Sequence, residues 1–296
     1  MPQTLLIGLL IAANLLWGAS WVVAKLALSE LTPLQVSAWR MIVAGFIVLP
    51  WLRVRGPALP PRAWPMLIFL GLVGFVLSKF LNYWGLNLTT AVNASLLMAT
   101  EPLLTIALGR LLLGEPLTGR RLGAFGMGAA GAYLLIAQGF RAPDLSAAHV
   151  LGNLVFLLGL MGEAVYSVLG KSLLGRHSAA LVTAATIAAS LLFWLPLAGA
   201  DGALNGWPPL TGKALAAIAF LSVGCTVAAY WAWFHALEKL EVGVAAMTLF
   251  VQPVWGALLA VLLLGETLSL PTVGGGALVL AGLYLALTPG WERRTP

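Results

Sequence analysis

The sequence predicts an all-α integral membrane protein of ten transmembrane helices, arranged as two inverted five-helix repeats. Three observations carry that prediction. First, 60% of the 296 residues are hydrophobic and 9% are charged, whereas a soluble domain carries about 25% charged residues. Such a chain cannot cover a water-facing surface. Second, the apolar material recurs in blocks of roughly 18–25 residues, the helix length that crosses about 30 Å of hydrocarbon. Third, Leu113-Gly114-Glu115-Pro116-Leu117 is echoed 151 residues later by Leu264-Gly265-Glu266-Thr267-Leu268. The same register pairs Glu101-Pro102 with Gln252-Pro253, Gly123 with Gly274, Ala130-Gly131 with Ala281-Gly282, and Tyr133-Leu134 with Tyr284-Leu285.

Breaks at charges and at Pro/Gly clusters place helices at about 4–28, 34–51, 64–84, 92–113, 122–139, 150–169, 179–199, 214–237, 242–264 and 272–288. The first block has no basic residue before it and no cleavage site after it, so it reads as a retained helix. It carries Asn14, Trp17, Gly18, Trp21 and Lys25 on one stripe. The second carries Arg40 toward its outer end, where a long side chain can snorkel to the headgroups. The third carries Lys79, Asn82 and Tyr83. The fourth holds Glu101 near its middle, beside Pro102, with Asn93, Leu97 and Thr105 on the same face. Ala124, Gly128 and Ala132 in the fifth, and Gly274 to Gly276 in the tenth, allow close approach, either between the repeats or within a homodimer. The sixth offers Glu163, Tyr166 and Ser167. The eighth offers Thr226, Tyr230 and Trp233, and the ninth Thr248, Gln252 and Trp255. No stretch alternates apolar and polar residues as a membrane β-barrel strand would.

The first repeat covers 1–140 and the second 149–289, followed by a cytoplasmic tail at 290–296. With the N-terminus in the cytoplasm, eleven Lys and Arg fall in inner loops and the tail, and two, Arg141 and Lys213, in outer loops. The net charge of +6 is therefore an orientation signal rather than a nucleic-acid footprint. Ten spans return the C-terminus to the cytoplasm. Five spans per copy turn the second copy over, and two halves of opposite orientation can expose a shared site to each side in turn.

Several classes are excluded. A single cysteine, Cys225, makes no intramolecular disulfide. Two aspartates and three isolated histidines give no zinc-protease or aspartate-rich magnesium motif, and no phosphate-binding G-x-x-x-x-G-K-[ST] loop is present. The expectation is a non-enzyme with no cofactor and no metal, whose partners are a small-molecule substrate and the lipid bilayer.

Trp17-Gly18-Ala19-Ser20-Trp21 followed by Lys25, the Glu101-Pro102 and Gln252-Pro253 centres and the paired Leu-Gly-Glu turns resemble the EamA-type carriers of the drug/metabolite transporter superfamily. The likeness spans essentially the whole chain, and within that family it is most similar to the YddG-type amino-acid exporters. The resemblance implies an inner-membrane exporter of aromatic or other amphipathic amino acids and related metabolites, with both termini inside. One departure is that Glu163 stands where the family often has a second Trp equivalent to Trp17.

A zwitterionic substrate needs a cation, an acceptor for its ammonium and an apolar wall. Trp17, Trp21, Lys79, Asn82, Tyr83, Glu101, Glu163, Tyr166, Trp233 and Gln252 are the candidate substrate-binding residues on that ground. Each also has a structural reading: Glu101 as a Lys-paired helix tie, Lys79 as a snorkelling or Glu101-paired cation, and the indoles as packing. Glu115 and Glu266 read as helix caps or partners of loop bases. The alternatives within transport are a proton-coupled drug pump working through Glu101 and a sugar-phosphate antiporter. The latter needs two or more converging basic residues, and the second half shows no intramembrane Lys or Arg to join Lys79. Outside transport, a membrane scaffold remains.

Overall fold

The computed structural model describes residues 2–54, 59–88, 97–98, 100–116, 118–136, 147–207, 209–252, 254–255, 258–259 and 270–287. Asn93, Leu117, Arg141, Pro253, Leu264, Gly265, Glu266, Thr267, Leu268 and the tail at 290–296 lie outside the described residues, as do the side chains of Lys25 and Ala132.

The described residues are helical, with a lone β-bridge between Leu174 and His177. The first helices are α1 (Gln3–Leu28) and α2 (Pro33–Val54). Thr32 and Gln35 start α2 with a reciprocal capping box, in which the Gln35 N–H donates to Thr32 Oγ1 and the Thr32 N–H to Gln35 Oε1, with Pro33 in the first turn where no N–H is needed. A short turn at Pro61–Ala63 leads into α3 (Trp64–Gly71), a π-helical stretch (Leu72–Leu77) and α4 (Ser78–Leu88), one continuous run. Then follow α5 (Glu101–Leu113), α6 (Gly119–Ile136), α7 (Ala147–Lys171) and α8 (Ala179–Asn205). The next run is α9 (Gly212–Ala219), a second π-helical stretch (Phe220–Ala228) and α10 (Ala229–Leu237). Last come α11 (Val242–Met247), a 3-10 turn at Thr248–Phe250, and α12 (Leu270–Leu287).

Six helices among the described residues are long and apolar enough to cross a membrane. Phe46, Phe69, Leu111, Leu158 and Leu192 stand exposed on the outside, an apolar surface that a bilayer covers.

Three features depart from the expected helices. Glu101 does not sit mid-helix: α5 begins at Glu101, after a turn in which the Thr100 hydroxyl donates to the Leu97 carbonyl. Pro102 thus occupies a first turn, where its missing N–H breaks nothing, and the Glu101 carboxylate meets the positive end of the helix. The expected ninth helix is likewise interrupted, by the 3-10 turn at Thr248–Phe250, 151 residues beyond Leu97–Met98. The expected seventh helix runs six residues further, to Asn205, and stops at Gly206, whose φ of 77° places it in the left-handed region.

Helix pairs pack α4 along α7, α1 along α10, α2 along α8, and α6 along α12. At the last of these, a Cβ on Gly131 would lie 2.6 Å from the Gly275 carbonyl oxygen, and one on Gly282 would lie 2.7 Å from the Ala124 carbonyl oxygen. Going up α6 from Ala124 to Gly131 goes down α12 from Gly282 to Gly275, so the two helices are antiparallel. The small residues expected to permit close approach therefore do so within one chain. Gly274 instead has open space beside it.

Glu115 caps a helix, but not the one that follows it. Its carboxylate accepts from the Val242 N–H at 2.7 Å, the Gly243 N–H at 2.9 Å and Lys171 Nζ at 2.9 Å, fastening the ends of α5 and α7 to the start of α11. Half-burial opposes its charge, but the bonds from Gly243, Lys171 and Val242 outweigh that and hold the carboxyl below the usual range.

Two outcomes follow for thermal unfolding of purified protein. Gly131→Ala lowers stability by about 1–3 kcal/mol, because backbone atoms block the new methyl, whereas Gly274→Ala leaves the midpoint unchanged. Glu115→Gln lowers the midpoint at pH 7. Because the folded carboxyl titrates below its unfolded value of about 4.3, the stabilisation is complete above that pH and the gap to wild type closes only as pH falls through the lower folded value.

Candidate functional site

The two π-helical stretches give the interior its polarity. A π turn widens the helix and disturbs the i→i−4 ladder, leaving carbonyls free for other donors. In the first, the Phe75 carbonyl accepts from Trp194 Nε1 at 3.0 Å. In the second, the Cys225 carbonyl accepts from Trp17 Nε1 at 2.8 Å and from Arg40 at 3.4 Å. Val73-Gly74 and Val223-Gly224 mark the two stretches 150 residues apart.

The interior also holds a cavity, about 600 Å3 of space between the atoms when the part open to the outside is included. Nine of the ten sequence candidates line it: Trp17, Trp21, Lys79, Asn82, Tyr83, Glu101, Glu163, Trp233 and Gln252. Its centre is an ion pair, Lys79 Nζ to Glu163 Oε1 at 2.8 Å, joining α4 to α7. Asn82 Nδ2 donates to the same oxygen and Tyr230 OH to Glu163 Oε2 at 3.4 Å. The Lys79 ammonium also lies 5.2 Å from the centre of the Tyr230 ring. Lys79 is thus paired with Glu163, and neither pairs with Glu101 nor snorkels.

Glu101 is buried and lines the cavity, with no hydrogen bond or ion pair to its carboxylate among the described residues. Its repeat counterpart Gln252 is engaged: Gln252 Nε2 donates to Asn14 Oδ1 at 2.9 Å, and Asn14 Nδ2 donates to Thr248 Oγ1 at 2.8 Å. Gly18 admits this contact, since a Cβ there would lie 3.2 Å from the Gln252 carbonyl oxygen.

The aromatic wall is built edge to face. The Trp17 ring meets Tyr230 at 5.0 Å and Trp233 at 5.7 Å, and Trp21 meets Tyr83 at 6.4 Å and Phe156 at 5.6 Å. The indole nitrogens of Trp21 and Trp233 and the amide oxygen of Asn82 are buried without a hydrogen-bond partner. A buried polar atom left unpaired is costly, so these three are points at which the polar groups of a ligand can bond.

Tyr166 is the exception among the ten. Its ring packs between Phe75, Tyr230 and Phe234, and its hydroxyl bonds Thr186 Oγ1 at 3.1 Å, so it ties α7 to α8 rather than facing the cavity. Ser167, one residue on, lines the cavity instead.

Arg40 was expected at the outer headgroups and is found in the cavity wall, 4% exposed. Its guanidinium donates to Thr226 Oγ1 and Tyr83 OH, each at 2.7 Å. The readable signal is the inward stripe Val36, Arg40, Ala44 and Val48 at four-residue spacing, all buried. The cavity therefore holds two cations, both from the first half of the chain.

The chain matches the EamA-like transporter family over residues 4–137 and 150–288. An uncharacterized transporter of Archaeoglobus fulgidus is 31% identical over 281 residues, covering 94% of this chain and 95% of that protein. A Streptantibioticus cattleyicolor protein named a probable terminal-alkyne amino-acid exporter is 29% identical over 263 residues, 89% of this chain and 83% of that one. A solved crystal structure superposes with a TM-score of 0.80 at 21% identity, over 97% of each chain, a likeness of fold. A lipid-facing helical bundle around a polar cavity, matched along nearly its whole length, is a multi-pass membrane transporter, and the chain belongs to the EamA-like transporter family.

Proposed function

We propose that this transporter exports aromatic and other amphipathic amino acids or related metabolites across the cytoplasmic membrane by alternating access. The observation that carries the reading is the lining. One cavity presents cations, carboxylates and an aromatic wall together, the three surfaces a zwitterion with an apolar side chain requires. The amino-acid exporter among the relatives supports the same class.

Alternating access rests on ten helices in two inverted five-helix repeats, 1–140 and 149–289. The antiparallel, reciprocal contact of α6 with α12 supports the inversion, as do the interruptions at Thr100 and at Thr248–Phe250 and the paired π-helical stretches. The basic-loop asymmetry supports an N-terminus and a C-terminus in the cytoplasm. On that orientation, the Glu115 fastening closes the cytoplasmic end.

Within this reading Trp17, Trp21, Tyr83 and Trp233 flank the side chain, and Glu101 and Glu163 accept from the ammonium. Asn82 and Gln252 complete the polar rim. A second reading, proton-coupled efflux, is favoured by the unpartnered Glu101 carboxylate.

Counterflow in proteoliposomes separates the readings. Wild type exchanges labelled phenylalanine or tryptophan, and Trp17→Ala raises KM by about 2- to 10-fold, the loss of roughly 0.5–1.5 kcal/mol of ring contact. Full activity in Trp17→Ala and Glu163→Gln together removes the site assignment. Glu101→Gln that abolishes uphill cationic-drug efflux while sparing amino-acid exchange selects the second reading.

A further inference from the structure

We infer that Arg40, rather than Lys79, is the anchor for the substrate's carboxylate, so that the cavity selects ligands with one carboxylate beside an apolar group. This rests on the amino-acid reading above and specifies its recognition chemistry.

The argument is an inventory of charge. Lys79 already has a carboxylate partner, Glu163, at 2.8 Å. A ligand carboxylate approaching Lys79 must compete with that oxygen and is repelled by it. Arg40 has none among the described residues: its three bonds there go to the Thr226 hydroxyl, the Tyr83 hydroxyl and the Cys225 carbonyl, all neutral acceptors. A guanidinium has five N–H donors, so two remain. A buried cation with only neutral partners is poorly compensated, and a carboxylate supplies the missing charge along with a planar two-point match. The Tyr83 oxygen accepts from Arg40, which leaves its own O–H proton for a second oxygen on the ligand. Trp21 and Trp233, which line the same cavity, add two buried indole N–H donors without a partner among the described residues.

The same inventory sets the charge of the ligand. One cation of the two lacks a carboxylate partner, which fits a single carboxylate. A phosphate dianion needs two such cations.

Arg40 is also held in place. Tyr83 and Thr226 fix the guanidinium from α4 and from the second π-helical stretch, so it belongs to contacts of the first half with the second. A change in its occupancy is therefore felt by the helices that move in transport.

The test is equilibrium binding of phenylalanine and of phenethylamine, which is the same molecule without its carboxylate, to purified full-length protein. The quantity read is the ratio of the two Kd values. In wild type phenylalanine binds more tightly, and in Arg40→Gln the preference collapses by about 10- to 100-fold, the usual cost of removing one side of a buried charged contact. Arg40→Lys keeps the charge and loses the planar fork, so part of the preference returns; it also decides the matter where Arg40→Gln does not fold. Lys79→Gln leaves Glu163 buried without its partner and shifts both Kd values, but it lowers their ratio less than Arg40→Gln does. The inference is overturned if the ratio in an Arg40 variant equals that of wild type, or if it falls with Lys79→Gln instead. Wild type binding both ligands equally overturns it too, while the exporter reading stands. Wild type binding neither ligand sinks that reading, and this assignment with it.

Discussion

Charge inside a bilayer is costly unless it is paired, and the pair of Lys79 with Glu163 meets that cost in the wall of the cavity. Leaving either ion buried alone costs several kcal/mol, more than most single contacts contribute. The pair therefore fixes where α4 meets α7, and the Lys79 ammonium over the Tyr230 ring brings α10 to the same point. In the matching contact, α1 against α10, the side chains described are joined by aromatic rings. There Trp17 lies edge-on to Tyr230 and Trp233. Two similar helix crossings are thus sealed by different physics, one ionic and one aromatic. Glu163 at the position where a second Trp was expected is what makes them differ.

The π-helical stretches extend the same logic to the backbone. In hydrocarbon a free carbonyl has no water to turn to. The Phe75 and Cys225 carbonyls are each met by an indole N–H from another helix, Trp194 in one case and Trp17 in the other. Irregular backbone is tolerated because it is buried in protein, and it supplies polar anchor points beside the cavity. The breaks before Glu101 and at Thr248–Phe250 follow the same rule, with the Thr100 and Thr248 hydroxyls donating to carbonyls three residues earlier.

Much of this was readable in the sequence, because the bilayer imposes few solutions. Block length follows from hydrocarbon thickness, and the 151-residue register survives in the repeated Leu-Gly-Glu sequence. Ionisable residues among apolar ones are few enough to inspect individually, which is why nine candidates meet at one cavity. The π-helical stretches left no such mark, since one extra residue in a helix turn does not alter an apolar block. Arg40 escaped because snorkelling and burial demand the same side chain, and only its neighbours decide between them. Tyr166 misled for a geometric reason. The stripe facing the cavity is Leu160, Glu163 and Ser167, and Tyr166 is turned about 100° from Ser167 around the helix, onto α8.

The symmetry of the fold does not extend to its lining. Arg40, Lys79 and Glu101 come from the first half, and Tyr230, Trp233 and Gln252 from the second; Glu163 alone carries charge across. At the equivalent positions Glu101 and Gln252, Gln252 is bonded to Asn14, which is itself bonded to Thr248, while Glu101 has no partner among the described residues. An amide that is already bonded is part of the wall, and a carboxylate that is not is a group left to act. A symmetric lining would hold a ligand equally well in two opposed orientations. This one distinguishes them, because both cations come from the first half and Glu163 is the charged lining residue of the second. Orientation is therefore set by the side chains and not by the repeat of the backbone.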